Sequence, residues 1–125
     1  MKDLVAILEK GCESINCKVE YADVFEEFME ETGELEIFYG NLSYCVYVYH
    51  AQEQLPGLIE FNNTPSDLEP LFLAVKKTVT DNNYTLDKFG ETNDKQLFLR
   101  LSIEKKRFNI YIEKIEGSRP NYGVF

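Results

Sequence analysis

The sequence predicts one α+β domain with a mainly antiparallel β-sheet of about five to six strands and two or three helices packed on one side. Three observations lead to this prediction. The chain has 125 residues, which suits a single domain spanning 1–125. Two long stretches alternate apolar and polar residues, as half-buried strands do, and others repeat apolar residues at helical spacing. No internal repeat or linker divides the chain.

The first third is predicted to contain two helices. Apolar residues recur every four positions up to Cys12, which predicts a helix from about Lys2 to Cys12. The segment 21–32 carries an apolar stripe flanked by acids, which predicts a second helix. Gly33 then suits the left-handed residue that ends a helix. Residues 17–20 remain open between a loop and a short strand.

The clearest hairpin surrounds Gly40-Asn41, a two-residue turn that begins with glycine. Pairing Tyr39 with Leu42 gathers the apolar residues of both strands on one face, so the register is well specified. The opposite face then carries six residues: Glu34, Glu36, Phe38, Cys45, Tyr47 and Tyr49.

The middle of the chain predicts a loop, a short strand and a helix. Residues 52–56 indicate the loop and residues 58–61 the strand. Ser66 with Glu69 forms a capping box, which predicts a helix that ends near 81–83.

The last third is predicted to be all-β. Residues 84–89 form a strand, 90–94 a turn, and the alternating runs 97–103 and 108–112 a second hairpin. The tip of that hairpin is basic. Residues 117–125 are expected to form an irregular tail.

The charge is large and unevenly distributed. The net charge is -9, which disfavours direct binding to nucleic acid or to an anionic membrane. Residues 1–40 carry eleven acidic and three basic side chains, and no lysine or arginine stands between Lys18 and Lys76. No apolar run has the length of a membrane span or of a signal-peptide core, so a cytoplasmic location is expected.

No motif for catalysis, a cofactor or a metal stands out. Both glycine-rich phosphate motifs are absent. An odd separation along a strand sends Cys45 and His50 to opposite faces, and three cysteines without a C-x-x-C pair suit reduced thiols. Carboxylate pairs such as Glu26 with Glu30 are typical of a solvated helix. The sequence therefore predicts a non-enzymatic protein with no cofactor and no metal site.

The acidic segment is the main functional signal. On the predicted helix it sets like charges four residues apart, which costs stability. One interpretation is a solubilising surface. The other is a surface for a basic protein partner, a toxin or a nucleic-acid-binding protein, with Phe38 as a further aromatic anchor. The predicted contact residues are Glu20, Asp23, Glu26, Glu27, Glu30, Glu31, Glu34, Glu36, Tyr47 and Tyr49.

In size, acidity, α+β layout and lack of motifs, the chain resembles bacterial immunity proteins. The resemblance implies a protein that neutralises a cognate toxin, often a nuclease, and it covers overall character only. Two alternatives remain open. One is a small-molecule-binding module or enzyme with a pocket between sheet and helices. The other is a homo-oligomeric subunit that associates through the tyrosine-rich hairpin face.

Overall fold

The computed structural model describes residues 1–27, 29–51, 58–59, 69–92 and 96–115. The predicted loop at 52–56, the capping residue Ser66 and the predicted tail at 117–125 lie outside them. The described parts form these elements in chain order: α1 (Lys2–Glu13), β1 (Lys18–Glu27), β2 (Glu30–Tyr39), β3 (Leu42–His50), β4 (Leu58–Ile59), α2 (Glu69–Asp81), β5 (Thr85–Thr92), β6 (Leu97–Ile103) and β7 (Lys106–Ile115).

The strands form one antiparallel sheet in the order β1-β2-β3-β7-β6-β5-β4. Six strands are long, and β4 has only two residues. Both helices pack on the same face, α1 against β1 and β2 and α2 against β5, and they contact each other. The predicted α+β class is confirmed. The core lies between helices and sheet; its fully buried side chains include Leu4, Leu8, Leu35, Ile37, Tyr44, Leu71, Leu97, Leu99, Leu101 and Ile110.

The predicted helix over 21–32 is wrong, because this segment contains most of β1 and the start of β2. In the strand, Ala22 and Val24 face the core beneath α1, and Asp23 between them faces the other way. Gly33 does not end a helix. It is buried in β2 where α1 crosses, and a Cβ there would lie 2.5 Å from Cγ2 of Val5. Glycine is needed for this close approach.

Both predicted hairpins are confirmed. Tyr39 pairs with Leu42 across Gly40, whose φ of 61° needs a residue tolerant of the left-handed region. The hairpin β6–β7 turns at Glu104-Lys105, with Ile103 paired to Lys106. One detail differs from expectation: β5 continues through Gly90 to Thr92, where a turn was predicted.

The two halves of the chain have the same architecture, although the sequence revealed no repeat. Each half runs from a helix into three antiparallel strands, and the third strands, β3 and β7, pair with each other at the centre of the sheet. Both helices end in the same way. Asn16 and Asn83 adopt positive φ, and the following residue donates its amide to a carbonyl five positions earlier. These are Schellman motifs.

The equivalence continues into the strands. The register of β1 shifts between Val19 and Tyr21, and that of β5 shifts at the matching place, between Leu86 and Lys88. Just after each shift, the pairing Ala22–Leu35 in the first half corresponds to the pairing Phe89–Leu99 in the second half. It follows that Leu35–Val46 corresponds to Leu99–Ile110. Tyr47 and Tyr111 are therefore equivalent, and they pair with each other. An approximate twofold axis passes through this tyrosine pair.

Among the described helices, none has the length and apolar character needed to cross a membrane.

Candidate functional site

The sheet face opposite the helices, called the helix-free face below, carries most of the polar side chains of interest. Antiparallel partners point to the same side of a sheet, so the registers define rows of neighbours across it. The central row runs through Asp23, Glu34, Tyr47, Tyr111, Phe98 and Gly90. The row on one side runs through Tyr21, Glu36, Cys45 and Glu113. The row on the other side runs through Phe25, Thr32, Tyr49, Asn109, Arg100 and Lys88.

The two halves of the helix-free face differ in charge. Asp23, Glu34 and Glu36 lie on β1 and β2. The other half, called the cationic half below, carries Lys88 and Arg100 on β5 and β6 and also Glu113 on β7. By the approximate twofold axis, Glu36 is the equivalent of Arg100. The acidic segment of the sequence therefore forms one half of a face whose other half contains both cations and the acid Glu113.

The cationic half is the better packed of the two. Arg100 is only 6% exposed and donates from Nε to Oδ1 of Asn109 at 3.0 Å. Phe98 is fully buried, with its ring centroid 5.2 Å from that of Tyr111. On the acidic half, by contrast, Asp23 is exposed and Glu34 is half-buried. The accessible charge of this face is thus mainly negative.

The predicted contact residues are only partly brought together. The helix-free face carries Asp23, Glu34, Glu36, Tyr47 and Tyr49. Phe38 and Cys45 lie on the same face, as the hairpin register predicted. The other predicted acids are arranged differently, because strand alternation replaces the expected helix.

Four of the remaining acids lie near the end of the β1–β2 hairpin. Glu26 pairs with Glu31 on the side of the sheet that carries the helices, and Oε1 of Glu31 lies 3.6 Å from Nε2 of His50. Glu30, the partner of Glu27 in the register, lines the groove on the helix-free face that is described below. The acidic patch on the helix-free face is therefore smaller than predicted, because only some of the predicted acids lie on that face.

Glu20, at the bulge of β1, is neutralised locally. Its Oε1 lies 2.9 Å from Nζ of Lys18.

Near the other end of the strand, the hairpin turn holds an unexpected residue. Met29 is 92% exposed and has a φ of 67°, so an apolar side chain stands in solvent on a left-handed backbone. Met29 was not predicted to be exposed in a turn, because the sequence pattern of this segment indicated a helix.

A groove of about 520 Å³ lies on the helix-free face. Its described lining comprises Glu30, Tyr47, Tyr49, His50, Gln96, Asn109, Tyr111 and Glu113. The rings of Tyr49 and Tyr111 meet edge to face with centroids 5.7 Å apart. The last four lining residues were missed by the sequence analysis. Alternation along β7 could have revealed three of them, since Asn109, Tyr111 and Glu113 alternate with the buried residues Phe108, Ile110 and Ile112.

Two ionisable groups of these rows, the Tyr47 hydroxyl and the Cys45 thiol, are held in their neutral forms. Burial raises the pKa of the Tyr47 hydroxyl, and the Cys45 thiol, Glu34 and Glu113 raise it further. Burial also raises the pKa of the Cys45 thiol, against a smaller lowering by the hydroxyl that Tyr47 donates to it. A neutral buried thiol is a poor nucleophile. The face therefore offers hydroxyl donors and carboxylates, with no activated cysteine at its centre.

The other two cysteines belong to the core. Cys12 and Cys17 occupy the two positions of the Schellman motif whose side chains commonly touch. The thiol of Cys12 donates a hydrogen bond to the sulfur of Cys17, which raises the pKa of Cys12 and lowers that of Cys17. Both are buried. Their arrangement fits helix termination.

Within the described ranges, no three histidine, cysteine or acidic side chains converge in a way that would hold a metal ion. Comparison with protein-family models, with curated proteins and with solved structures found no match to the chain.

The acidic half has an energetic cost that the fold does not require. Asp23 lies directly opposite Glu34, and Glu26 directly opposite Glu31. Like charges at directly opposed positions destabilise a sheet. On the equivalent strands of the second half, the position of Asp23 is taken by Gly90 and that of Glu34 by Phe98. The same backbone thus forms without these carboxylates.

Proposed function

We propose that the protein is a non-enzymatic inhibitor that binds a basic protein partner through the acidic half of the helix-free face, as immunity proteins neutralise basic toxins such as nucleases. The observation that carries this proposal is the pair of opposed carboxylates, Asp23 with Glu34, beside an aromatic groove. A basic partner relieves their repulsion, so charge that costs stability in the free protein favours the complex.

The aromatic residues beside the charge suit an interface. Tyr47, Tyr49 and Tyr111 offer large contact areas with polar ends, and tyrosine is enriched among residues that dominate binding energy. Their hydroxyl oxygens can accept hydrogen bonds from lysine and arginine side chains of a partner. The carboxylates at the rim would speed the encounter with a cationic surface by long-range attraction.

Capture of the partner from extracts, its identification and binding measurements with the purified pair test the proposal. The variant Asp23→Lys with Glu34→Lys should slow association, because it replaces two attractive charges by repulsive ones. Raising the salt concentration from 50 to 500 mM should lower the association rate of the parent protein with its partner at least about tenfold.

The matched control is Asp3→Lys with Glu13→Lys, which changes the net charge equally on the exposed surface of α1. The effects of these two changes on the helix dipole nearly cancel, since one lies in the first turn and the other in the last. The control should associate at close to the parent rate. A partner without a basic surface, or equal slowing by both variants, would rule out the proposal.

A second candidate function is small-molecule binding in the groove. Its volume of about 520 Å³ lies in the range of ligand sites, and aromatic rings with a few polar groups line it. This groove lies on the helix-free face, whereas the sequence analysis expected a pocket between sheet and helices. The substitution Tyr111→Ala should abolish binding of such a ligand, whereas a charge change at Asp23 should not.

A further inference from the structure

The outer edge of β1 is an open strand edge among the residues that the structure describes. β1 stands at the end of the strand order, has ten residues and pairs on one side with β2. Its irregularity lies near its start, between Val19 and Tyr21, so the stretch from Tyr21 to Glu27 continues in regular register. A long regular edge exposes a row of backbone donors and acceptors to any strand that can pair with it.

The second half of the molecule contains an internal precedent for such pairing. The edge of β5 that is equivalent to this open edge accepts β4 in antiparallel orientation, with Ile59 opposite Glu91 and Leu58 opposite Thr92. The equivalents of Glu91 and Thr92 in β1 are Val24 and Phe25. The described residues of the first half supply no strand to that position. The same backbone geometry thus accepts a strand at one edge and leaves the other available.

A groove beside the open edge suits the side chains of an added strand. It has a volume of about 200 Å³ and lies where α1 meets β1. Its lining has an apolar floor with charged residues around it: Val5, Ala6, Ala22 and Val24, with Lys2, Glu9 and Asp23. Alternate residues of a strand paired to β1 would point into this groove. The residues between them would point to the helix-free face, beside Asp23 and Tyr21.

The charge of the edge selects the occupant. The exposed side chains of Asp23 and Glu26 repel a second acidic strand, which disfavours pairing of two copies of this chain through β1. They attract a strand with lysine or arginine at alternate positions. We propose that the basic partner contributes an extended segment that adds antiparallel to β1, with alternate apolar side chains in the groove beneath α1 and alternate basic side chains facing Asp23.

This inference rests on the proposed function and specifies how the partner is bound. Strand addition derives its affinity from main-chain hydrogen bonds and its specificity from pockets for alternate side chains. Electrostatic docking on the helix-free face needs neither. Blocking the backbone of a ligand while leaving its charge unchanged therefore separates the two modes.

The probe is a fluorescein-labelled ten-residue peptide of alternating lysine and valine, with blocked termini, studied by fluorescence anisotropy at low salt. Two further peptides carry N-methyl groups, one on its valines and one on its lysines. In a strand, alternate amides point to opposite edges, so only one of the two methylated peptides loses its bonds to β1. We expect that peptide to bind at least about tenfold more weakly and the other to bind within about twofold of the parent.

Two measurements on the protein complete the test. Ala6→Gln fills the groove from an exposed helix position and should weaken binding of the peptide. Leu73→Gln, on the exposed surface of α2, should leave the binding unchanged. Hydrogen exchange should reveal new protection at alternate amides between Tyr21 and Glu27 when the peptide binds.

Equal binding of all three peptides would overturn strand addition and leave the charged face as the site, so the proposed function would stand. Absence of binding by the parent peptide would also overturn it, and the captured partner would then test the proposed function separately. Sedimentation of the free protein as a dimer with protected β1 amides would identify a second copy as the occupant and overturn the proposal.

Discussion

Replacing Glu26 by lysine is expected to stabilise the protein, because the residue directly opposite is Glu31. Both side chains are exposed, so the change removes little packing. It converts a repulsive cross-strand pair into an attractive one. The double replacement, with lysine at both positions, restores a like-charged pair. The four proteins therefore form a double-mutant cycle that isolates the interaction between the two side chains.

The size of the coupling follows from the geometry. Two unit charges about 6 Å apart, the separation of opposed side-chain ends, interact by about 0.7 kcal/mol in water. Screening at physiological salt, with a Debye length of about 8 Å, reduces this by roughly half. The single replacement should then gain about 0.7 kcal/mol, and the cycle should give a coupling energy of about 1.4 kcal/mol. In 1 M salt, where the Debye length is about 3 Å, the coupling should fall to about 0.4 kcal/mol.

Urea unfolding of the four proteins at both salt concentrations measures the coupling. The control is a second cycle with Glu26 and Glu30. A helix would make these two residues neighbours four positions apart, whereas in the hairpin Glu30 pairs with Glu27. The Glu26–Glu30 cycle should give a coupling close to zero. Strong coupling in the control cycle together with none between Glu26 and Glu31 would contradict the strand register.

Three further outcomes are expected. Gly33→Ala should cost about 1–3 kcal/mol in urea unfolding, since its Cβ would lie 2.5 Å from Cγ2 of Val5; unchanged stability would contradict the close approach of α1. Met29→Asn should raise the unfolding temperature, with a gain of about 1 kcal/mol, because asparagine tolerates positive φ; a lower temperature would contradict this. Folding raises the pKa of the Cys45 thiol and of the Tyr47 hydroxyl, so their contribution to stability is complete at a pH below 9.0, the ordinary pKa of a thiol. That contribution should be lost as pH rises through their folded values. Tyr47→Phe should show a shallower decline in urea midpoints above pH 9, and an identical decline would contradict the assignment.

The hairpins could be predicted from the sequence because their signals were unambiguous. Strict alternation around Gly40-Asn41 permits one register, and that register is observed. Alternation along residues 97–103 and 108–112 was equally clear. In both cases one apolar face meets the core, so a shift by one residue would expose it.

The segment 21–32 could not be assigned correctly, because its apolar residues fit two periods. Tyr21, Val24 and Phe25 make a helical stripe, yet in the structure Val24 faces the core and Phe25 the helix-free face. The bulge before Tyr21 also breaks the alternation that would have indicated a strand. This segment becomes a strand because it pairs with the well-defined β2–β3 hairpin. Local propensity does not include such tertiary pairing.

The acidic residues of the site were identified even though their secondary structure was not. Charge counting found the whole segment, and strand alternation then selected Asp23, Glu34 and Glu36 for one face. The contribution of β7 was missed, since only the pairing of Tyr47 with Tyr111 brings it beside the acidic strands. Alternation along β7 indicates which of its side chains share a face, but it does not indicate that this face lies beside β3.

The approximate twofold repeat separates what the fold needs from what it does not. Features present in both halves, such as the left-handed asparagines and the bulges of β1 and β5, are requirements of the shared backbone. Features present in one half only are not. The second half covers its edge with β4 and fills its share of the helix-free face with Phe98. Among the described residues, the first half has an acidic surface and an open edge in the equivalent places. Since the shared backbone forms without these carboxylates, its stability does not require them, and this asymmetry is the reason for which we propose a partner with a cationic strand.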